Sequence, residues 1–86
     1  MKRDAMDKPQ LDPIVGELLK IMKERRLKLG LSHQQLADKA GVNRSTISLL
    51  ESQQRNPTVQ LAARVAEAMD CKLSELLKLA EKKARA

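Results

Sequence analysis

The chain has no phenylalanine, tyrosine or tryptophan, and only one cysteine, one histidine, three glycines and three prolines in 86 residues. Each shortage removes a possibility. Without aromatic rings the core must be assembled from Leu, Ile, Val, Ala and Met, side chains that pack best between helices. So few glycines and prolines, with no β-branched runs, leave little from which to build hairpins and strands. A single cysteine cannot close an internal disulfide, and with one histidine it cannot make a protein-only zinc site. A reducing, cytoplasmic setting with no cofactor or metal is therefore expected. The apolar runs stop at two or three residues, so nothing is expected to span a membrane and the N-terminus lacks the apolar segment of a signal peptide. No catalytic acid, base or metal constellation emerges from one histidine and no convergent carboxylate pair, so an enzyme is not expected.

Basic charge is what the chain has in excess. Seventeen Lys and Arg against eleven Asp and Glu give +6, a balance suited to a polyanionic partner. Residues 1–12 are neutral overall, 13–57 carry +4 and 58–86 carry +2. At this length folding buries only about 60–65% of the surface of the unfolded chain, which makes one small domain with a thin core.

Helix punctuation is regular after an N-terminal arm, 1–11, that has no period. Asp12 and Pro13 are an N-cap followed by proline at the first helical position, and Gly30 is a stop, giving a first helix over 13–29 with Val15, Leu18, Leu19, Met22 and Leu29 inward. Ser32 and Gln35 fit a capping box and Gly41 a left-handed stop, so a short second helix runs from His33 to Ala40. Asn43 caps a third, over 44–51. Thr58 caps a fourth, to about Met69, with Leu61, Ala62, Val65 and Met69 inward, and a fifth spans 73–81. Residues 82–86 are expected to fray as a basic tail. The expected fold is all-α, a compact five-helix bundle over 12–81.

The second and third helices are too short to stand alone and are joined by about three residues around Gly41, which is helix-turn-helix spacing over 33–52. Ala37 permits the close crossing, Gly41 the sharp turn, and Val42, Ile47 and Leu50 pin the third helix. Residues at 100° intervals then place Arg44, Ser45, Ser48, Leu49 and Ser52 on one face, opposite Ile47 and Leu50. Such a slim, donor-rich face fits the DNA major groove, where Arg grips guanine, hydroxyls reach base edges or phosphates, and Leu touches a thymine methyl. Phosphate contacts should flank it: His33 and Gln34 at the free N–H groups of the second helix, and Gln53, Gln54, Arg55 and Asn56 on the far side. Arg26 lies within the apolar stripe of the first helix and needs a partner, for which Glu51 is the natural candidate.

The stretches "MKERRLKLGLS", "HQQLADKAGVNRSTISLLES" and "QQRNPTVQLAARVAEAMDCKLSELL" resemble the Cro/cI-type, or XRE, helix-turn-helix repressors over about three quarters of the chain. The resemblance implies a lambda-repressor-like DNA-binding domain and a transcriptional regulator, commonly a homodimer on a palindromic operator. It places base reading on Asn43, Arg44, Ser45 and Leu49, and the family's buried ion pair on Arg26 and Glu51. His33 stands where the family often has Gln. Asp70, Cys71 and Lys72 stand where a glycine turn and a Ser or Thr cap are usual. The chain is similar to free-standing members such as small phage repressors, restriction-modification controllers and antitoxins. Leu73, Leu76, Leu77 and Leu79 exceed what a thin core should absorb and are assigned to a dimer interface. The alternative is a helical protein-interaction module, such as an antitoxin or adaptor whose main partner is a protein, for instance a toxin.

Overall fold

In the computed structural model, residues 10–86 are described. The arm expected over 1–11 lies outside the described residues except for Gln10 and Leu11. Five helices follow: α1 (Pro13–Lys28), α2 (His33–Ala40), α3 (Arg44–Glu51), α4 (Val59–Ala68) and α5 (Leu73–Arg85). α1 lies along α5 and also meets α3, α2 packs on α3 and α4, and α4 packs on α5. Among the described residues no helix is long and apolar enough to cross a membrane.

The helix starts follow local chemistry. Asp12 Oδ1 accepts the N–H of Ile14 at 2.9 Å, ahead of Pro13. Ser32 Oγ accepts from Gln35 N at 3.0 Å while Gln35 Oε1 accepts from Ser32 N at 2.8 Å, a closed capping box. Thr58 Oγ1 accepts from Leu61 N at 3.0 Å. α5 starts at Leu73 without a Ser or Thr cap, because Glu75 reaches back to the N–H of Lys72 at 3.3 Å.

The first four helix ends share one closure, in which an N–H past the helix returns to a carbonyl five residues earlier. The bonds are Leu31 N to Arg26 O, Val42 N to Ala37 O, Gln54 N to Leu49 O and Cys71 N to Ala66 O, at 2.9–3.1 Å. This closure requires a residue in the left-handed region one position before the donor. Gly30 and Gly41 fill it at φ +72°, but Gln53 and Asp70 fill it at +59° and +56°. Glycine punctuation therefore marks two of the four stops and is silent on the others.

The core draws on every helix: Leu18, Leu19, Ile21 and Met22 of α1, Leu36 and Ala37 of α2, Ile47 and Leu50 of α3, Ala62, Val65 and Ala66 of α4, and Leu76 and Ala80 of α5, with Met69 beyond α4. Ala37, Ala66 and Ala80 are fully buried. At such crossings the absence of a longer side chain lets the helices approach closely.

Four expectations are corrected. Leu29 is exposed rather than inward, since the helix closes at Lys28 and the turn swings it out, while Ile21 takes a core place. Leu61 is half-buried. Residues 82–85 continue α5 instead of fraying, because the helix remains docked along α1. Leu76 is buried in the monomer and cannot serve an interface. Leu73 and Leu77 are half-buried against the core and edge an apolar groove with Val15, Pro57 and Val59, whereas Leu79 stands exposed among Glu75, Lys78 and Lys82. At 100° per residue, Leu79 lies well over 100° around the helix from Leu73 and Leu77, so the leucines do not form one surface.

Candidate nucleic-acid interface

α3 is held from behind. Ile47 and Leu50 are 1% and 3% exposed, and Val42 packs against the same core. Arg44, Ser45, Ser48, Leu49 and Ser52 all face outward. The serines carry little bulk, so this edge presents hydroxyls close to the helix axis with one guanidinium at its start. Asn43 occupies the N-cap position, but its side chain makes no capping hydrogen bond and is exposed. The turn is closed by its backbone carbonyl, which accepts from Thr46 N at 3.0 Å. The amide is thus available to an outside ligand beside Arg44. Ser52 is differently placed: its hydroxyl donates to Ser48 O at 3.0 Å and accepts from Gln54 Nε2 at 3.0 Å, which ties it to the helix end.

The flanking groups divide. Gln34 is exposed at the start of α2, with its amide donating to Asp38 Oδ1 at 2.8 Å. Ser32 accepts from the N–H groups of Gln35 and Leu36, which leaves those of His33 and Gln34, at the first two helical positions, directed out of the helix. Gln54, Arg55 and Asn56 are exposed past the end of α3. Gln53 is not placed with them. Its left-handed backbone turns the side chain inward, where Nε2 donates to Gly16 O at 3.3 Å. A Cβ on Gly16 would stand 3.4 Å from Gln53 Oε1. Gln53 therefore ties the end of α3 to α1 and is withdrawn from the phosphate-contact group expected from sequence.

Behind the interface sits an ionic cluster that sets the angle between α1, α2 and α3. Arg26 donates from Nε to Glu51 Oε2 at 2.6 Å, from Nη2 to Oε1 at 2.9 Å, and from Nη1 to the Leu31 carbonyl at 2.7 Å. Both side chains of the pair are 9% exposed. His33 Nε2 lies 3.0 Å from Glu51 Oε1. Burial alone would raise the Glu51 carboxyl, but the hydrogen bonds and charge of Arg26 and His33 outweigh it and hold the group below its ordinary value. Arg25, next in sequence, donates from Nε to Met69 O at 3.0 Å and so caps the end of α4. Sequence reasoning found the Arg26 and Glu51 partnership from a charge inside an apolar stripe. It missed the links of His33 to Glu51 and of Gln53 to Gly16, since no spacing rule marks either.

Comparison with known proteins agrees with this geometry. A family model described as helix-turn-helix matches residues 22–76. An uncharacterized HTH-type transcriptional regulator of Archaeoglobus fulgidus is 36% identical over 55 residues, covering 64% of this chain and 79% of that protein. The restriction-modification controller protein C.AhdI of Aeromonas hydrophila superposes with a TM-score of 0.68 at 31% identity, covering 72% of this chain and 94% of that one. The controller protein C.Esp1396I, solved as a tetramer in complex with its natural 35-base-pair operator, superposes with a TM-score of 0.78 over 88% of this chain and all of that one, a likeness of fold at 20% identity. With two short helices crossing at Ala37 and Gly41, an outward polar edge on the second of them, and the family match over the same residues, the chain belongs to the Cro/cI-type (XRE) helix-turn-helix family of DNA-binding transcriptional regulators.

Proposed function

We propose that the chain reads a specific double-stranded operator through the major groove with α3, acts in the cytoplasm as a repressor or autoregulator, and binds a palindromic site as a homodimer. The observation that carries this is the sidedness of α3: Arg44, Ser45, Ser48 and Leu49 outward, Ile47 and Leu50 buried behind them. Asn43, with its side-chain amide uncommitted at the N-cap, joins them as a base-reading group. Arg44 is the strongest discriminator, because a bidentate grip on guanine distinguishes it from the other bases by about 1–3 kcal/mol. His33, Gln34, Gln54, Arg55 and Asn56 flank this edge and supply backbone contacts that set its register.

A single recognition helix gathers few contacts, and two of them one helical turn apart supply specific affinity. Leu79, 50% exposed on α5, and Val59, 78% exposed at the start of α4, are among the apolar groups available to a partner copy. Selection of bound duplexes from random DNA tests the reading. Recovery of a palindrome that the Arg44→Ala variant no longer discriminates is the expected result. Unchanged preference in that variant, or binding that does not weaken steeply and linearly with salt on a log-log scale, would count against it. Salt-insensitive association with a protein instead would favour the interaction-module reading.

A further inference from the structure

We propose that Gln53 and Gly16 form a latch that sets the register of α3 in the groove, with Gln53 a positioning residue for operator discrimination that itself touches no DNA. The proposal rests on the DNA reading above and concerns how that same interface is aimed.

Two residues of the chain are each unfavourable where they stand. Gln53 has φ +59°, a left-handed backbone for which glycine is the natural residue. Gly16 is at the fourth position of α1, without a positive φ and with its N–H bonded to Asp12 O at 2.9 Å, where alanine or leucine would favour the helix more. Exchanging the glycine and the side chain between the two sites would suit both backbones. The contact between them accounts for the reversal. Gln53 Nε2 donates to Gly16 O at 3.3 Å, and the amide lies against the bare Cα, since a Cβ there would stand 3.4 Å from Oε1 and 3.9 Å from Cδ. A backbone held in a sparsely populated region points to a role for whatever it holds in place.

What it holds is the end of the recognition helix. Glu51, two residues before Gln53, is tied to Arg26. Gly16 and Arg26 are ten residues apart on α1, about 15 Å along its axis. α1 thus grips the end of α3 at two separated points. The Arg26 contact alone would let that end swing across α1 on the non-directional apolar packing beneath it. The second anchor stops the swing.

Beyond Gln53 the chain folds back on the reading edge. Gln54 N donates to Leu49 O at 2.9 Å, and Gln54 Nε2 donates to Ser52 Oγ at 3.0 Å, whose hydroxyl donates to Ser48 O at 3.0 Å. Arg55 and Asn56 follow directly and are exposed. The reading edge and its far-side flank are therefore referenced to α1 through one side-chain amide. Small displacements matter for base reading, because an N–H···O bond to a base edge holds only over about 2.7–3.2 Å. Attraction to the phosphates falls off far more slowly with distance.

The experiment compares two affinities by fluorescence anisotropy at fixed salt and pH, with thermal unfolding of each variant alongside. One duplex is selected from random DNA by the wild-type chain, and the other is a mixed-sequence duplex of the same length. Gln53→Asn keeps the amide and suits a left-handed backbone, but it is one methylene too short to reach Gly16. Gly16→Leu displaces the amide from the other side while favouring the helix. Gly16→Ala adds only a Cβ at ordinary contact distance and leaves the latch closed. Gln53→Asn and Gly16→Leu are each expected to lose about tenfold in affinity for the selected duplex, the order of one good base contact, without a lower melting temperature. Their affinity for the mixed sequence should stay within about twofold of wild type, because it comes from the phosphates. Gly16→Ala should keep the wild-type ratio of the two affinities. The double variant of Gln53→Asn with Gly16→Leu should lose no more than either alone, since both open the same contact. A merely structural contact would instead lower the melting temperature and both affinities together. That result, an unchanged ratio in the two opening variants, an equal loss in Gly16→Ala, or additive losses in the double variant would each overturn the proposal. A wild-type chain that binds all duplexes alike, or none, would remove the DNA reading along with it.

Discussion

Arg26→Ala should be among the most damaging single changes in α1, because its side chain is buried. The substitution withdraws three donors at once, leaving Glu51 as a buried carboxylate with only His33 beside it and the Leu31 carbonyl without its side-chain partner. Breaking a buried pair by removing one member costs about 3–5 kcal/mol, and the carbonyl adds about 1 kcal/mol. Total stability at roughly 0.05–0.15 kcal/mol per residue comes to on the order of 4–12 kcal/mol for a chain of this size. The loss is therefore a large fraction of the whole, and at about 4–8 °C per kcal/mol the melting temperature should fall by roughly 16–48 °C.

The pH dependence gives a second signature. In the wild type Glu51 has a lowered pKa in the folded state, so its contribution is present above the unfolded value and is lost as pH falls through the folded one. Without Arg26, burial dominates and should raise the Glu51 pKa above its unfolded value, so this group then favours folding as the medium becomes more acid. Thermal unfolding followed by circular dichroism, in buffers from neutral to mildly acid, reads both effects. Lys23→Ala, at an exposed position of the same helix, is the control. Arg25→Ala is a poor one because Arg25 caps α4 through Met69 O. If Arg26→Ala and Lys23→Ala melted within a few degrees of each other, the reasoning about this cluster would be refuted.

Arg44 is exposed, so Arg44→Ala should leave the melting temperature within about 2 °C of wild type while removing about 1–3 kcal/mol of operator discrimination; a large loss of thermal stability would show that the side chain is structural. Leu76→Ala should cost about 2–5 kcal/mol of stability through an internal cavity, whereas Leu79→Ser should spare the monomer and weaken self-association in sedimentation equilibrium, and the opposite pattern would reverse the assignments made here. Gln53→Ala should destabilise more than Gln53→Gly by about 0.5–1 kcal/mol in denaturant titration, since both lose the bond to Gly16 but only glycine relieves the positive φ; equal losses would mean that the backbone at this turn stores no strain.

How much of this was legible in the chain depends on the range of the interaction involved. Asp12 with Pro13, the Ser32 and Gln35 box, Gly41 and Thr58 act within three or four residues, so their spacing alone placed the helix starts and the tight turn. The 100° repeat likewise separated Ile47 and Leu50 from Arg44, Ser45 and Ser48, since a helix converts spacing into sidedness without reference to anything else. A charge within an apolar stripe was enough to suggest that Arg26 has a partner, because a buried guanidinium without one is too costly.

Other features depended on which elements come together. The leucines of α5 look alike in the chain, yet docking against α1 and α4 buries Leu76, half-covers Leu73 and Leu77 and leaves Leu79 in solvent. That same docking keeps residues 82–85 helical where a free end would fray. Gln53 and Asp70 adopt left-handed backbones because a closing hydrogen bond and the packing beyond it outweigh a local cost of about 1–2 kcal/mol, a balance that residue type does not reveal. The meeting of His33 with Glu51, eighteen residues apart, exists only because Ala37 lets α2 and α3 cross closely. Short-range chemistry was thus written in the order of residues, and contacts between separate helices were decided by packing, where the free energy belongs to the pair and not to either sequence segment.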